Sequence, residues 1–266
     1  MQRLLLILTL LATIVAEASP SRILFVGNSY TSVNNLPAIF KEVVASAGQP
    51  PPTIEAATPG GKTLEQHSRL PETLAKIDKG NWDVVIVQGQ SQEAAMSEVA
   101  DNMRTSFLGG AEALFARIRA KSPNAKIVLY ETWARHADYW KNPQANTYVG
   151  HNATEMQARI RKWYAKIAEG QKNVVVAPVG DAWELNYKNP AAVRLHSKDN
   201  SHPAFNGSYL AALVFHAMIY QPATLKVRHT GNIRGKEAAY LQKLAAQAVK
   251  GMKCGDPVPE AITRKP

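Results

Sequence analysis

Short, unbroken apolar runs alternate along the chain with longer segments whose apolar residues recur every three or four positions. Ile23, Leu24, Phe25 and Val26 form the first run, which suits a strand buried on both faces. Gly27-Asn28 turn the chain at its end and Ser29 follows directly. Asn34-Asn35-Leu36-Pro37 reads as a helix start, with Asn35 as the cap and Pro37 in the first turn. Ile39, Phe40, Val43, Val44 and Ala47 keep helical spacing up to Gly48. Beyond Pro50 to Pro52, Thr53 to Thr58 reads as a second strand leading into Pro59-Gly60-Gly61-Lys62-Thr63, where paired glycines mark a tight turn or a close approach. Leu64 to Lys79 is helical with an interruption at Pro71, and Asp83 to Val87 is the clearest strand, ending in Gln88-Gly89-Gln90-Ser91-Gln92.

Phe107, Ala111, Leu114, Phe115 and Ile118 mark the next helix, stopped by Ser122-Pro123-Asn124. Lys126 to Tyr130 is a fourth strand, followed by Glu131-Thr132-Trp133-Ala134-Arg135-His136. Asp138 to Gly150 is aromatic, polar and proline-containing, and reads as a long loop over the same sheet edge. Met156, Ile160, Trp163, Tyr164 and Ile167 give a further helix, and Val174 to Val179 a fifth strand ending in Gly180-Asp181. Arg194 to Asn206 is a polar loop before a strongly apolar helix, Gly207 to Tyr220; a basic helix spans about Gly235 to Lys250. Strands alternating with helices at this spacing imply right-handed crossovers and a parallel sheet. The expected fold is a three-layer α/β/α sandwich on a flavodoxin-like five-stranded parallel sheet of order 2-1-3-4-5, with Ser29 at the switch point.

The 266 residues, 45% of them hydrophobic, can bury one large core, and no linker-like stretch divides them. Residues 19–266 are therefore read as a single domain with a C-terminal helix and a mobile tail from Gly255. Met1 to Ala18 has the pattern of a secretory leader: Arg3, an apolar run from Leu4 to Val15, then Ala16-Glu17-Ala18 before a cleavage point after Ala18. The expected location is secreted or periplasmic, with no stable membrane insertion after cleavage. The lone Cys254 cannot form an intrachain bridge, which fits a bacterial periplasm. Asn152-Ala153-Thr154 and Asn206-Gly207-Ser208 are sequons that matter only in a eukaryotic host. The formal net charge is +10, but its Lys and Arg residues are scattered and no nucleic-acid motif accompanies them, so no nucleic-acid partner is expected.

Ser29 would stand at the carboxyl edge of the sheet, either as a nucleophile or as the cap of the next helix. Asp199-Asn200-Ser201-His202-Pro203 lies in the polar loop. An Asp three residues before a His can take the Nδ1 side of the imidazole and leave Nε2 outward as a base. His67, His136, His151, His196, His216 and His229 show no metal-ligand spacing, and His216 reads as a core histidine. Trp133, His136, Tyr139 and Trp140 either line a substrate cleft or pack the long loop. Asp181 either touches substrate or caps a helix starting at Ala182.

Together these blocks resemble the SGNH, or GDSL-like, hydrolase superfamily. Gly27-Asn28-Ser29-Tyr30-Thr31 is similar to its first block, with Asn28 where Asp is more usual, and Gly61-Lys62-Thr63 to its second. Asp199 to His202 is similar to its last block. The third block departs from the family's G-x-N-D. Ungapped counting from Asp83 sets Gln92 against the Asn, a one-residue slip favours Gln90 or Ser91, and Gln88 stays open. The resemblance implies a Ser29, Asp199 and His202 triad. It also implies an oxyanion hole from the Ser29 and Gly61 backbone N–H groups and a glutamine amide, Gln90 or Gln92, with no cofactor and no metal. The implied function is an exported serine esterase cleaving a short acyl ester, such as O-acetyl on a carbohydrate; a lipase or thioesterase is the nearest variant. The alternative is a non-catalytic carbohydrate-binding protein on the same fold.

Overall fold

The computed structural model describes residues 19–222 and 224–250. The leader, its cleavage point, Cys254 and the tail lie outside the described residues. In chain order the elements are β1 (Arg22–Val26), α1 (Ser29–Ser32), α2 (Leu36–Ser46), β2 (Thr53–Ala57), α3 (Leu64–His67), α4 (Pro71–Asp78), β3 (Val84–Val87) and α5 (Glu93–Met96). They continue with α6 (Asp101–Lys121), β4 (Lys126–Tyr130), α7 (Ala153–Ala168), β5 (Val174–Ala177), α8 (Val179–Tyr187), α9 (Phe205–Tyr220) and α10 (Gly235–Ala248).

The five strands are parallel in the order β2-β1-β3-β4-β5, as the alternation of apolar runs predicts. Val26 stands level with Ala57 on one side and Val87 on the other, and Val87 with Leu129. The loops that leave β1, β2, β3 and β4 therefore start from one line. Because β1 is flanked by β2 and β3, the chain departs in opposite directions on its two sides, and the residues after Val26 occupy the switch point.

Alternate side chains divide the sheet into two cores. Ile23, Phe25, Ile86, Val128, Tyr130 and Val175 face α2, α8, α9 and α10. Leu24, Val26, Val85, Val87, Leu129 and Val176 face α3, α4, α5, α6 and α7. Helix α9 is buried from Gly207 to Ile219 on every side, which is why its sequence is apolar all round rather than striped.

The fifth strand is shorter than its apolar run suggests. It ends at Ala177, and Pro178, with ψ 56°, starts α8 at Val179. Asp181 thus sits in the first turn of α8 and does not cap a helix at Ala182. The segment 138–150 contains short 3₁₀ turns at Ala137–Lys141 and Thr147–Val149. Among the described residues no helix is long and apolar enough to cross a membrane.

Candidate active site

Gly27 lets the turn after β1 close onto Gln88: a Cβ there would lie 2.6 Å from Thr31 Oγ1 and 2.7 Å from Gln88 Oε1. Asn28 is buried and caps α1, its Oδ1 accepting from Tyr30 N at 3.1 Å. Its Nδ2 donates to Lys62 O at 3.1 Å and Gly89 O at 3.3 Å. One amide thereby ties together the loops after β1, β2 and β3. A carboxylate could not donate to those two carbonyls, which gives a local reason for Asn rather than Asp at this position. Gln88 is spent inside this knot, accepting from Asn28 N at 3.0 Å and Thr31 Oγ1 at 2.9 Å, and donating to Asn28 Oδ1 and Gly89 O.

Ser29 opens α1. Its Oγ lies 2.9 Å from His202 Nε2, and His202 Nδ1 lies 2.6 Å from Asp199 Oδ2. The geometry is satisfied with the proton on Nδ1, donated to Asp199, and Nε2 free to accept from the serine hydroxyl. The loop 194–204 is held in shape for this. Asp199 Oδ1 accepts from Ser197 Oγ, Ser201 N and His202 N at 2.6, 3.0 and 2.9 Å. Ser197 N donates to His202 O at 2.8 Å, and Asn200 takes the left-handed φ of 62°. Partial burial pushes the Asp199 carboxyl up, but the donors from Ser197, His202 and the loop backbone outweigh it and hold it well below the usual carboxylate range.

Behind this loop stands an aromatic wall. Tyr30 stacks on Trp133 at 4.5 Å, and Trp133 on Trp183 at 3.8 Å. Trp133 Nε1 donates to Ser201 O at 3.0 Å, while Tyr30 presents its ring to the His202 edge at 5.5 Å. His196 braces the same loop, its Nε2 3.0 Å from Ala134 O and its Nδ1 2.8 Å from Tyr187 Oη. Burial lowers His196 to about 3, so its neutral ring donates through Nε2 and accepts at Nδ1.

Of the predicted oxyanion candidates, Gly61 occupies the turn after β2 at φ 69°, with open space around its Cβ position. Gln90 turns its Oε1 back to accept from Gln92 N at 2.7 Å. Gln92 Oε1 accepts from Asn146 Nδ2 at 3.2 Å, and Ser91 Oγ accepts from Arg135 at 3.0 Å. Tyr139 and Trp140 pack the long loop: they meet edge to face at 5.2 Å, Trp140 Nε1 donates to Gly150 O, and Tyr139 Oη accepts from Asn146 N. Asp181 pairs with Arg161 of α7, whose Nε lies 2.6 Å from its Oδ1. A cavity of about 270 Å³ lies on the Trp183 side of the wall, lined by His136, Thr154, Gln157, Trp183, Tyr187 and His196.

Three buried polar residues around Ser29 carry no motif. Glu93 Oε2 accepts from Leu64 N at 3.3 Å and Gln90 N at 3.1 Å, stapling the second loop to the third. Burial raises its carboxyl to about 7 despite those donors. His67, lowered to about 4 by burial, donates from Nε2 to Gly27 O at 2.9 Å and accepts at Nδ1 from Thr73 Oγ1 at 2.8 Å. Its place three residues after Leu64, on the helix face that meets the sheet, is the one signal that marks it in the sequence. The third, Arg135, reaches Tyr30 Oη and Ser91 Oγ.

No protein-family model matches the sequence, and no curated protein matches it. Solved structures do. A DUF4886 family protein from Bacteroides uniformis superposes with a TM-score of 0.68 at 16% identity, covering 86% of this chain and 94% of its own. A chain from Parabacteroides merdae described as a GDSL-like lipase gives 0.55 at 18% identity, covering 76% and 96%. A carbohydrate esterase family 3 protein from Talaromyces cellulolyticus gives 0.51 at 14%, covering 76% and 97%. With its sheet order and its short blocks at the carboxyl edge, the chain has the fold of the SGNH, or GDSL-like, hydrolases.

Proposed function

We propose that the protein is a serine esterase in which Ser29 attacks an ester carbonyl. The observation that carries this reading is the unbroken line from Ser29 Oγ through His202 to Asp199, at 2.9 and 2.6 Å. His202 Nε2 takes the hydroxyl proton as Oγ bonds to the carbonyl carbon. Asp199 keeps the proton on Nδ1 and stabilises the imidazolium. The tetrahedral oxyanion is held by the Ser29 and Gly61 N–H groups and by the Gln90 amide, whose oxygen is already engaged by Gln92 N. Gln92, facing Asn146, is the weaker candidate. The C–O bond then breaks, the alcohol leaves with the proton from His202, and water activated by the same Nε2 releases the acid and restores Ser29.

Small acyl esters of carbohydrates are the preferred substrate class. The carbohydrate esterase among the similar folds and the aromatic-lined cavity beside the wall support it. The leader pattern of residues 1–18 supports export.

Hydrolysis of 4-nitrophenyl acetate by wild type and by Ser29→Ala tests the proposal. We expect turnover in wild type and a fall of at least about 10⁴-fold in the variant, with His202→Ala alike and Asp199→Asn lower by about 10³-fold or more. Turnover that survives Ser29→Ala removes Ser29 from the chemistry. A wild type that hydrolyses no ester in a panel of acetylated sugars and longer acyl chains turns the assignment toward a carbohydrate-binding protein.

A further inference from the structure

Arg135 is the one lysine or arginine among the described residues that is buried, at 6% exposure. A guanidinium withdrawn from water is strongly disfavoured unless an anion or a full set of acceptors compensates. Arg159, the other arginine whose side chain is largely covered, at 14% exposure, meets that requirement with the Glu155 carboxylate. Arg135 has only two neutral hydroxyls, Tyr30 Oη and Ser91 Oγ.

Those two partners locate the charge. Tyr30 follows Ser29 directly, and its hydroxyl also lies 2.9 Å from Ser201 Oγ, next to His202. Ser91 follows Gln90 in the loop after β3. The guanidinium therefore stands where the serine turn, the third loop and the Asp199–His202 loop converge, with a positive charge that no carboxylate contacts directly. The net charge of +10 adds a field that draws anions toward the molecule.

We infer that Arg135 is a specificity-determining residue that selects ester substrates bearing a carboxylate close to the scissile bond. The inference rests on the esterase reading of the same site and deepens it. A neutral ester leaves the guanidinium uncompensated, whereas an anionic one supplies its missing partner. Arginine suits the task because its planar fork keeps N–H groups for a second acceptor while Tyr30 and Ser91 hold the head in place.

Matched pairs of esters test this on both sides of the scissile bond. On the acyl side, 4-nitrophenyl hydrogen glutarate is compared with its methyl ester; on the alcohol side, 4-acetoxybenzoate is compared with 4-acetoxybenzamide. We expect wild type to prefer the anionic member of at least one pair by 10-fold or more in kcat/KM. Arg135→Met should abolish that preference and Arg135→Lys should retain part of it. Binding of glutarate and 4-hydroxybenzoate to Ser29→Ala, followed by titration calorimetry, reads the same charge without turnover and should be lost in the Ser29→Ala, Arg135→Met double variant. A wild type with no anionic preference in either pair overturns the inference, even if Arg135→Met fails to fold. So does an equal loss of activity on both members of each pair in Arg135→Met, which is the signature of a purely supporting side chain. Failure of the esterase reading looks different: no ester is turned over, and the calorimetric comparison alone then decides whether Arg135 binds carboxylates.

Discussion

Glu93 has no access to water, and its ionisation couples the two loops around Ser29 to pH. Its folded value of about 7 lies above the ordinary 4.5, so the folded protein holds this proton more tightly than the unfolded chain does. The stability it contributes is complete below about pH 4.5 and is lost as pH rises through 7, to a total of about 3 kcal/mol. Denaturant titrations from pH 5 to 8 should therefore show wild type losing ground steadily to Glu93→Gln; a constant difference across that range contradicts the account. Asn28→Asp removes the donors to Lys62 O and Gly89 O, and should lower stability by about 1–3 kcal/mol. Thermal unfolding checks it, and a variant as stable as wild type removes Asn28 as the tie between loops. At this scale the sequence was legible where chemistry has a spacing: Ser29 after an apolar run, and Asp199 three residues before His202. Glu93 and Arg135 carry no such spacing. Their meaning comes from contacts with residues distant in the chain, and a polar residue in a polar stretch gives no sign that it will be buried.

Between elements, the closest approach bearing on the site is that of α6 to α3. A Cβ on Gly110 would lie 2.2 Å from Glu65 N and 2.6 Å from Leu64 C. Backbone cannot yield as a side-chain tip can, so Gly110→Ala must push α3 outward. We expect a loss of about 2 kcal/mol or more together with a fall in kcat, because α3 continues from the Gly61 turn. Unfolding and steady-state kinetics would show both, and a variant with wild-type stability refutes the packing argument. The strands were readable because a strand buried on both faces is a continuous apolar run. That same rule overextended the fifth, since Val179 belongs to α8 yet continues the apolar letters past Pro178. The short helix α5 and the first turns of α6 were hidden for the opposite reason. Asp101 to Ser106 project mostly outward and show no apolar period.

Taken as a whole, the molecule buries neutral imidazoles at separate points. Burial lowers His67 to about 4, His196 to about 3 and His216 to about 4, against an ordinary value of 6.5. Below pH 6.5 the unfolded chain takes up protons that the folded one refuses, so their contribution is present above that pH and is lost as pH falls toward 4. Each is worth on the order of 3 kcal/mol, and together they outweigh the opposite slope from Glu93. The melting temperature should drop between pH 7 and 4.5, and His67→Gln should flatten that drop; an unchanged slope contradicts it. The architecture was legible because alternating strands and helices admit few topologies. The convergence of Ser29 with a loop 173 positions away was implied only by the resemblance of the short blocks and by no spacing, being a property of the closed fold. That convergence is the central claim, and trapping the nucleophile tests it most directly. After treatment with diethyl 4-nitrophenyl phosphate, intact-mass and peptide mass spectrometry should find one phosphoryl adduct, on Ser29, absent in Ser29→Ala and formed far more slowly in His202→Ala. An adduct on another residue, or a Ser29 that reacts equally well without His202, would contradict it.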